Sequence, residues 1–171
     1  MRDAFRCLLL WGCGLALQAH ALTVQGDASQ KMEIVQAPQR IVSLLPSLTE
    51  TVCALGACKQ LVGLDRYSNW PESLKALPRV GGGLDPNIES IVALKPDLIL
   101  AAGSTRGVER LEALGLKVLR LEPRTHADVQ RVLRTVAQAL FMPEADSDRV
   151  WRDIQAGVQA AVQSLSPQAR Q

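Results

Sequence analysis

Apolar residues along this chain fall into short runs that alternate with longer periodic stretches. Residues 41–45 (Ile-Val-Ser-Leu-Leu) form a compact apolar run with two β-branched members, closed by Pro46, and predict a buried strand. Ser47, Leu48, Thr49 and Glu50 have the S-x-x-E form of a capping box and predict a helix ending near Gly56. A second strand is expected at 61–64, then a loop over 67–78 with one helical turn after Pro71. Asn87 is placed to cap a helix carrying Ile88, Ile91, Val92 and Leu94, which must stop by Lys95 because Pro96 follows. Further strands are expected at 98–102 and 117–121, separated by a helix over 105–114 with Gly115 as its stop.

Two amphipathic helices complete the pattern. Residues 127–141 present Val129, Val132, Leu133, Val136 and Leu140 on one side. Residues 147–165 repeat the spacing with Val150, Ile154, Val158, Ala161, Val162 and Leu165, a stripe that predicts docking onto an apolar surface. Strand and helix alternate four times, with connections long enough to cross over. The expected fold class is therefore α/β: a mostly parallel four-stranded sheet with helices on both faces, ending in a long helix.

The N-terminus changes the expected location. Arg2 and Arg6 precede an apolar stretch from Cys7 to Leu17, and Ala19-His20-Ala21 supplies a small-x-small cleavage pattern, so residues 1–21 read as a signal peptide. The run is too short for a permanent membrane span. Export brings Cys53 and Cys58 into oxidising surroundings, where they can pair. Their C-x4-C spacing matches no common zinc or thioredoxin pattern, and a small buried thiol at Cys53 is the alternative.

Composition narrows the function. Only 4% of the 171 residues are aromatic although 47% are hydrophobic, so the core must rely on aliphatic side chains. A net charge of +2 is not the footprint of a nucleic-acid binder or a polybasic membrane patch. Beyond the leader, His126 is the one histidine, at a helix start that suggests a surface or capping role. It has no cysteine or carboxylate cluster beside it, and neither a G-x-S-x-G elbow nor an H-E-x-x-H occurs, which weighs against an enzyme, a metal site or a bound cofactor. Gly81, Gly82 and Gly83 fit neither a P-loop nor a dinucleotide fingerprint; they predict backbone that turns sharply or approaches something closely. Ligands of open parallel sheets bind beyond the carboxyl ends of the strands, which here selects positions 46–47, 65–70, 102–106 and 122–125.

Three segments are familiar together. RIVSLLPSLTE (40–50), the pair VGL (62–64) with YSNWP (67–71), and NIESIVALKPDLI (87–99) resemble, in order, the first lobe of periplasmic substrate-binding proteins of ABC importers for vitamin B12 and ferric siderophores. The resemblance runs over 40–165. It implies two α/β lobes joined by a helical backbone, with ligand held between them and no catalysis. It divides the chain into the signal peptide, a polar leading segment (22–39), an N-terminal lobe (40–142) and a backbone-type helix with its tail (143–171), the second lobe being absent. Ligand contacts are expected around Ser47, Tyr67, Gly83 and Ser104, and Glu89 matches the glutamate that docks onto an inner-membrane permease. Where vitamin B12 receptors of the family carry two further tryptophans, this sequence has Gly83 and Ala102, so corrinoids, ferric siderophores and haem all remain as ligands. The alternative function is a stand-alone lobe acting as a protein-interaction module.

Overall fold

The computed structural model describes residues 21–165, so the expected signal peptide lies almost wholly outside the described residues. The chain opens with a hairpin, β1 (Leu22–Gln25) paired antiparallel with β2 (Lys31–Ile34). The α/β unit follows: β3 (Ile41–Ser43), α1 (Pro46–Ala54), β4 (Leu61–Leu64), α2 (Ile88–Ala93), β5 (Leu98–Ala101), α3 (Val108–Ala113), β6 (Val118–Arg120), α4 (His126–Ala139) and α5 (Glu144–Ser164). The four strands of the main sheet are all parallel, in the order β4-β3-β5-β6.

Alternation along the strands sorts the core into two layers. Ile41, Leu98, Leu100 and Leu119 face one side, where they meet Leu48 and Val52 of α1 and Val132, Leu133 and Val136 of α4. Val42, Ile99, Ala101 and Val118 face the other side and pack on Ile91 of α2 and on Val108 and Leu111 of α3. Both faces are covered, which is why these strands read as continuous apolar runs. Each fully buried Leu or Ile contributes about 2 kcal/mol on an area basis.

Several boundaries differ from the sequence expectation for local reasons. Helix α1 does not use Ser47 as a cap: Leu45 is the extended residue before the helix, without a side-chain cap bond, and Pro46 takes the first helical position, where its missing N–H costs nothing. Asn87 does cap α2, its side-chain oxygen accepting the Ser90 amide at 2.8 Å. The polar leading segment forms a hairpin that the sequence reading missed. It seals the free edge of β6 through Gln30, whose side chain donates to the Val118 carbonyl at 2.7 Å and accepts the Arg120 amide at 2.9 Å.

The last helix is the clearest departure. Its first turns pack, with Ser147 and Val150 buried and the Trp151 ring 4.7 Å from that of His126. Beyond them the expected docked stripe stands in the open, with Ile154, Val158 and Val162 at 36%, 45% and 44% exposure. Among the described residues no helix is long and apolar enough to cross a membrane.

Cys53 and Cys58 are joined in a disulfide that ties the last turn of α1 to the short helical turn leading into β4. Closing so small a loop stabilises the fold by about 2 kcal/mol in the chain-entropy account. The double variant C53A/C58A is therefore expected to unfold at lower urea concentration than the oxidised chain. A midpoint that is unchanged by both the substitution and added reductant would contradict this.

Candidate functional site

Two of the strands create the site by the way the chain leaves them. From β3 the chain turns into α1 on one face of the sheet, whereas from β5 it turns into α3 on the other. The strands themselves are neighbours, Ile41 to Ser43 pairing with Leu98 to Leu100. Adjacent parallel strands whose connections diverge leave a crevice at their carboxyl ends. A cavity of about 460 Å³ occupies that position, lined by Leu44 to Pro46 after β3, Asp65 and Tyr67 after β4, Gly82 to Asp85, and Ala102, Ser104 and Thr105 after β5. Tyr67, Gly83 and Ser104 thus come together in one cavity. Ser47 does not join them; it is the second residue of α1 and lines a neighbouring apolar groove.

The loop that carries Tyr67 is fixed by a buried carboxylate. Asp65, 1% exposed, accepts the Tyr67 amide at 2.7 Å and the Ser68 hydroxyl. Ser68 also lies 2.8 Å from the Thr49 hydroxyl of α1, and Arg79 donates to the Ser68 carbonyl at 2.7 Å. The tyrosine ring is 66% exposed at the cavity mouth, with the Arg66 guanidinium 5.9 Å from its centroid. Asp65 opens the strand-end stretch 65–70, but the strand-end rule assigns it no anchoring role. The signal available was its spacing, since an Asp two residues before the amide it caps makes an Asx turn.

The glycine triplet has two distinct physical causes. Gly81 has φ +96°, and a Cβ there would collide with the Asp85 carbonyl, so a left-handed backbone requires glycine. At Gly83 a Cβ would meet only Thr105 Oγ1 at 3.5 Å and the Leu44 carbonyl at 3.9 Å. The protein would tolerate a small side chain there, so the missing side chain leaves room in the cavity itself.

Next to the apolar cavity lies a polar one of about 640 Å³, lined by Asp27, Gly103, Ser104, Glu122, Arg124, Asp128 and Arg131 among others. Ser104 belongs to both. Asp128 is held below the usual carboxylate range by the Thr125 hydroxyl, then by the Arg124 and Thr125 amides, with Arg131 adding to them against an opposing desolvation. That carboxylate completes the capping box of α4. A second apolar hollow, of about 530 Å³, lies between α1, α4 and α5, with Ser47 among its walls. Its walls are mostly apolar, with Cys53, Ala54, Val129, Val132 and Val150 among them, and Ser47, Glu50 and Thr51 supply its polar groups. Glu89 stands apart from all of these, in the first turn of α2, its side chain 83% exposed and 4.0 Å from Arg110. Among the described residues no group of three or more His, Cys, Asp and Glu side chains is placed to hold a metal ion.

A parallel α/β sheet with an open, partly polar cavity at its switch point has the layout of a small-molecule binding domain. A family model described as periplasmic binding protein matches residues 41–171, and the chain belongs to that family. The Vitamin B12-binding protein of Yersinia pestis (strain Pestoides F) is 44% identical over 96 residues, covering 54% of this chain and 34% of that relative. A periplasmic heme-binding protein from Roseiflexus sp. RS-1, solved in apo form, superposes with a TM-score of 0.66 at 30% identity, covering 73% of this chain and 49% of that one. The periplasmic vitamin B12 binding protein of Vibrio cholerae superposes with a TM-score of 0.63 at 28% identity, covering 76% and 53%. The chain spans about a third of the length of the curated relatives it matches and about half that of the solved ones. Family membership implies a periplasmic location, and the named relatives are binding proteins.

Removing the anchor of the Tyr67 loop should disturb the site before the fold. Asp65→Ala leaves the Tyr67 amide and the Ser68 hydroxyl without their acceptor, a loss of about 2–3 kcal/mol. Chemical denaturation should register that loss, and amide exchange should quicken over residues 65–70 while β3 and β5 stay protected. Unchanged exchange in the loop would show that Asp65 does not hold it.

Proposed function

We propose that this chain is a periplasmic solute-binding component, the N-terminal lobe of an ABC-importer receptor for a cobalamin, haem or ferric-siderophore type of complex. On this reading residues 1–21 are the export signal, 40–142 the ligand-binding lobe and 143–171 the backbone-type helix. The protein captures and delivers its ligand without chemically changing it. The single observation that carries the proposal is the cavity at the β3/β5 switch point, with an exposed tyrosine at its mouth and no side chain at Gly83 to fill it. The vitamin B12 and heme ligands of the named relatives supply the ligand class.

Each site residue has a distinct part in this reading. Tyr67 offers an amphipathic ring face to a flat macrocycle, Ser104 a hydroxyl, and Gly83 free space. Ser47 contacts ligand from the start of α1, next to Pro46 of the cavity wall. Glu89 meets an arginine of the inner-membrane permease, an interaction suited to an exposed carboxylate that can accept paired hydrogen bonds. Its position in the first turn of α2 leaves it exposed at the helix end.

Calorimetric titration of the full chain with cyanocobalamin and with hemin tests the proposal. Binding of one of them is expected, with Tyr67→Ala weakening it about tenfold through loss of ring contact. The ring is mostly exposed, so the variant should fold as the parent does. Absence of binding to both, or equal binding by the variant, would contradict the reading.

A further inference from the structure

The carboxylates around the two joined cavities differ in how far the protein itself uses them. Asp65 is committed to the Tyr67 amide and the Ser68 hydroxyl, and Asp85 to Arg66. Asp27 uses both oxygens, accepting from Arg131 at 2.7 Å and from the Glu122 amide at 2.6 Å. Asp128 gives one oxygen to the α4 cap at 2.9 Å, while its other has Arg131 at 3.4 Å. Glu122 is the exception. Its two oxygens have only long contacts, 3.4 Å from the Ser104 hydroxyl and 3.4 Å from Arg124, well beyond the usual hydrogen-bond length.

Glu122 is also held in place and left uncovered. Its backbone is pinned by Asp27 at the carboxyl end of β6, and its side chain is 27% exposed. A Cβ at Gly103 would come no closer than 3.7 Å to its Oε2. Gly103 therefore leaves the carboxylate facing the polar cavity, which shares Ser104 with the apolar one. Arg124, 75% exposed, balances the charge only loosely.

We propose that Glu122 is a specificity-determining residue, which selects a macrocycle whose rim carries N–H donors, such as a corrinoid with amide side chains, over one whose rim carries carboxylates. This rests on the reading of the switch-point cavity as the ligand site. An ionised acceptor with unused lone pairs makes charge-assisted hydrogen bonds to amide N–H groups. The same charge repels a carboxylate arm placed against it, so selection acts through attraction and rejection together.

Two corrinoids with the same ring isolate the effect: dicyanocobinamide, rimmed by amides, and dicyanocobyrinic acid, rimmed by carboxylates. Hemin is the third probe. The full chain should bind the amide corrinoid more tightly at neutral pH, and Glu122→Gln should shrink that preference about tenfold, chiefly by improving binding of the acid. Gln keeps the shape and an acceptor while removing the charge, and an unchanged urea midpoint verifies its fold. Arg124→Gln should move the preference the opposite way. An unchanged ratio in Glu122→Gln overturns the role of Glu122 and leaves the cavity assignment standing. Binding of hemin with neither corrinoid keeps the cavity assignment and overturns the amide preference. Binding of none of the three overturns the cavity assignment and this inference with it.

Discussion

Strands β3 and β5 lie side by side in register, yet the chain leaves them toward opposite faces of the sheet. Right-handed crossovers force this outcome once the strand order is β4-β3-β5-β6. The helices that follow cannot both close over the strand ends, so the sheet carries a permanent opening there. Everything in the candidate site is arranged around that opening. Pro46 starts α1 to one side of it, Thr105 and Arg106 lead away on the other, and the Tyr67 loop after β4 forms its rim.

Rigidity around the opening comes from polar groups buried where the apolar layers end. Asp65, Ser68, Thr49 and Arg79 form one connected set behind Tyr67. Such a network is stable only when its members find partners, which these do. The neighbouring polar cavity is fixed by Asp27, reaching from the hairpin to the Glu122 amide and to Arg131. The cavity is thus pre-formed and its side chains are positioned before any ligand arrives. Pre-organisation of this kind reduces the ordering cost of binding.

Much of this was legible in the sequence because it is local or periodic. Apolar runs marked β3 to β6, Asn87 announced the cap of α2, and the strand-end rule selected the stretches holding Tyr67 and Ser104, which meet Gly83 in one cavity. The illegible parts depend on contacts between distant positions. Gln30 completes the edge of β6 across nearly ninety residues (88 to the Val118 carbonyl), and no local pattern carries that information. Ser47 looked like a cap because its spacing to Glu50 fits a capping box, but Pro46 already satisfies the first helical position. On α5 the periodicity of Ile154, Val158 and Val162 was readable, whereas the extent of the surface they meet is a property of the packed chain.

The proposed ligand site is the switch-point opening rather than the larger apolar hollow beside α5. Hydrogen–deuterium exchange of the full chain, with and without saturating cyanocobalamin or hemin, addresses it directly. Slowed exchange is expected over residues 44–47, 65–68, 81–85 and 102–105, with α4 and the first turns of α5 unchanged. Protection confined to 129–133 and 150–154, the walls of the apolar hollow, would contradict it.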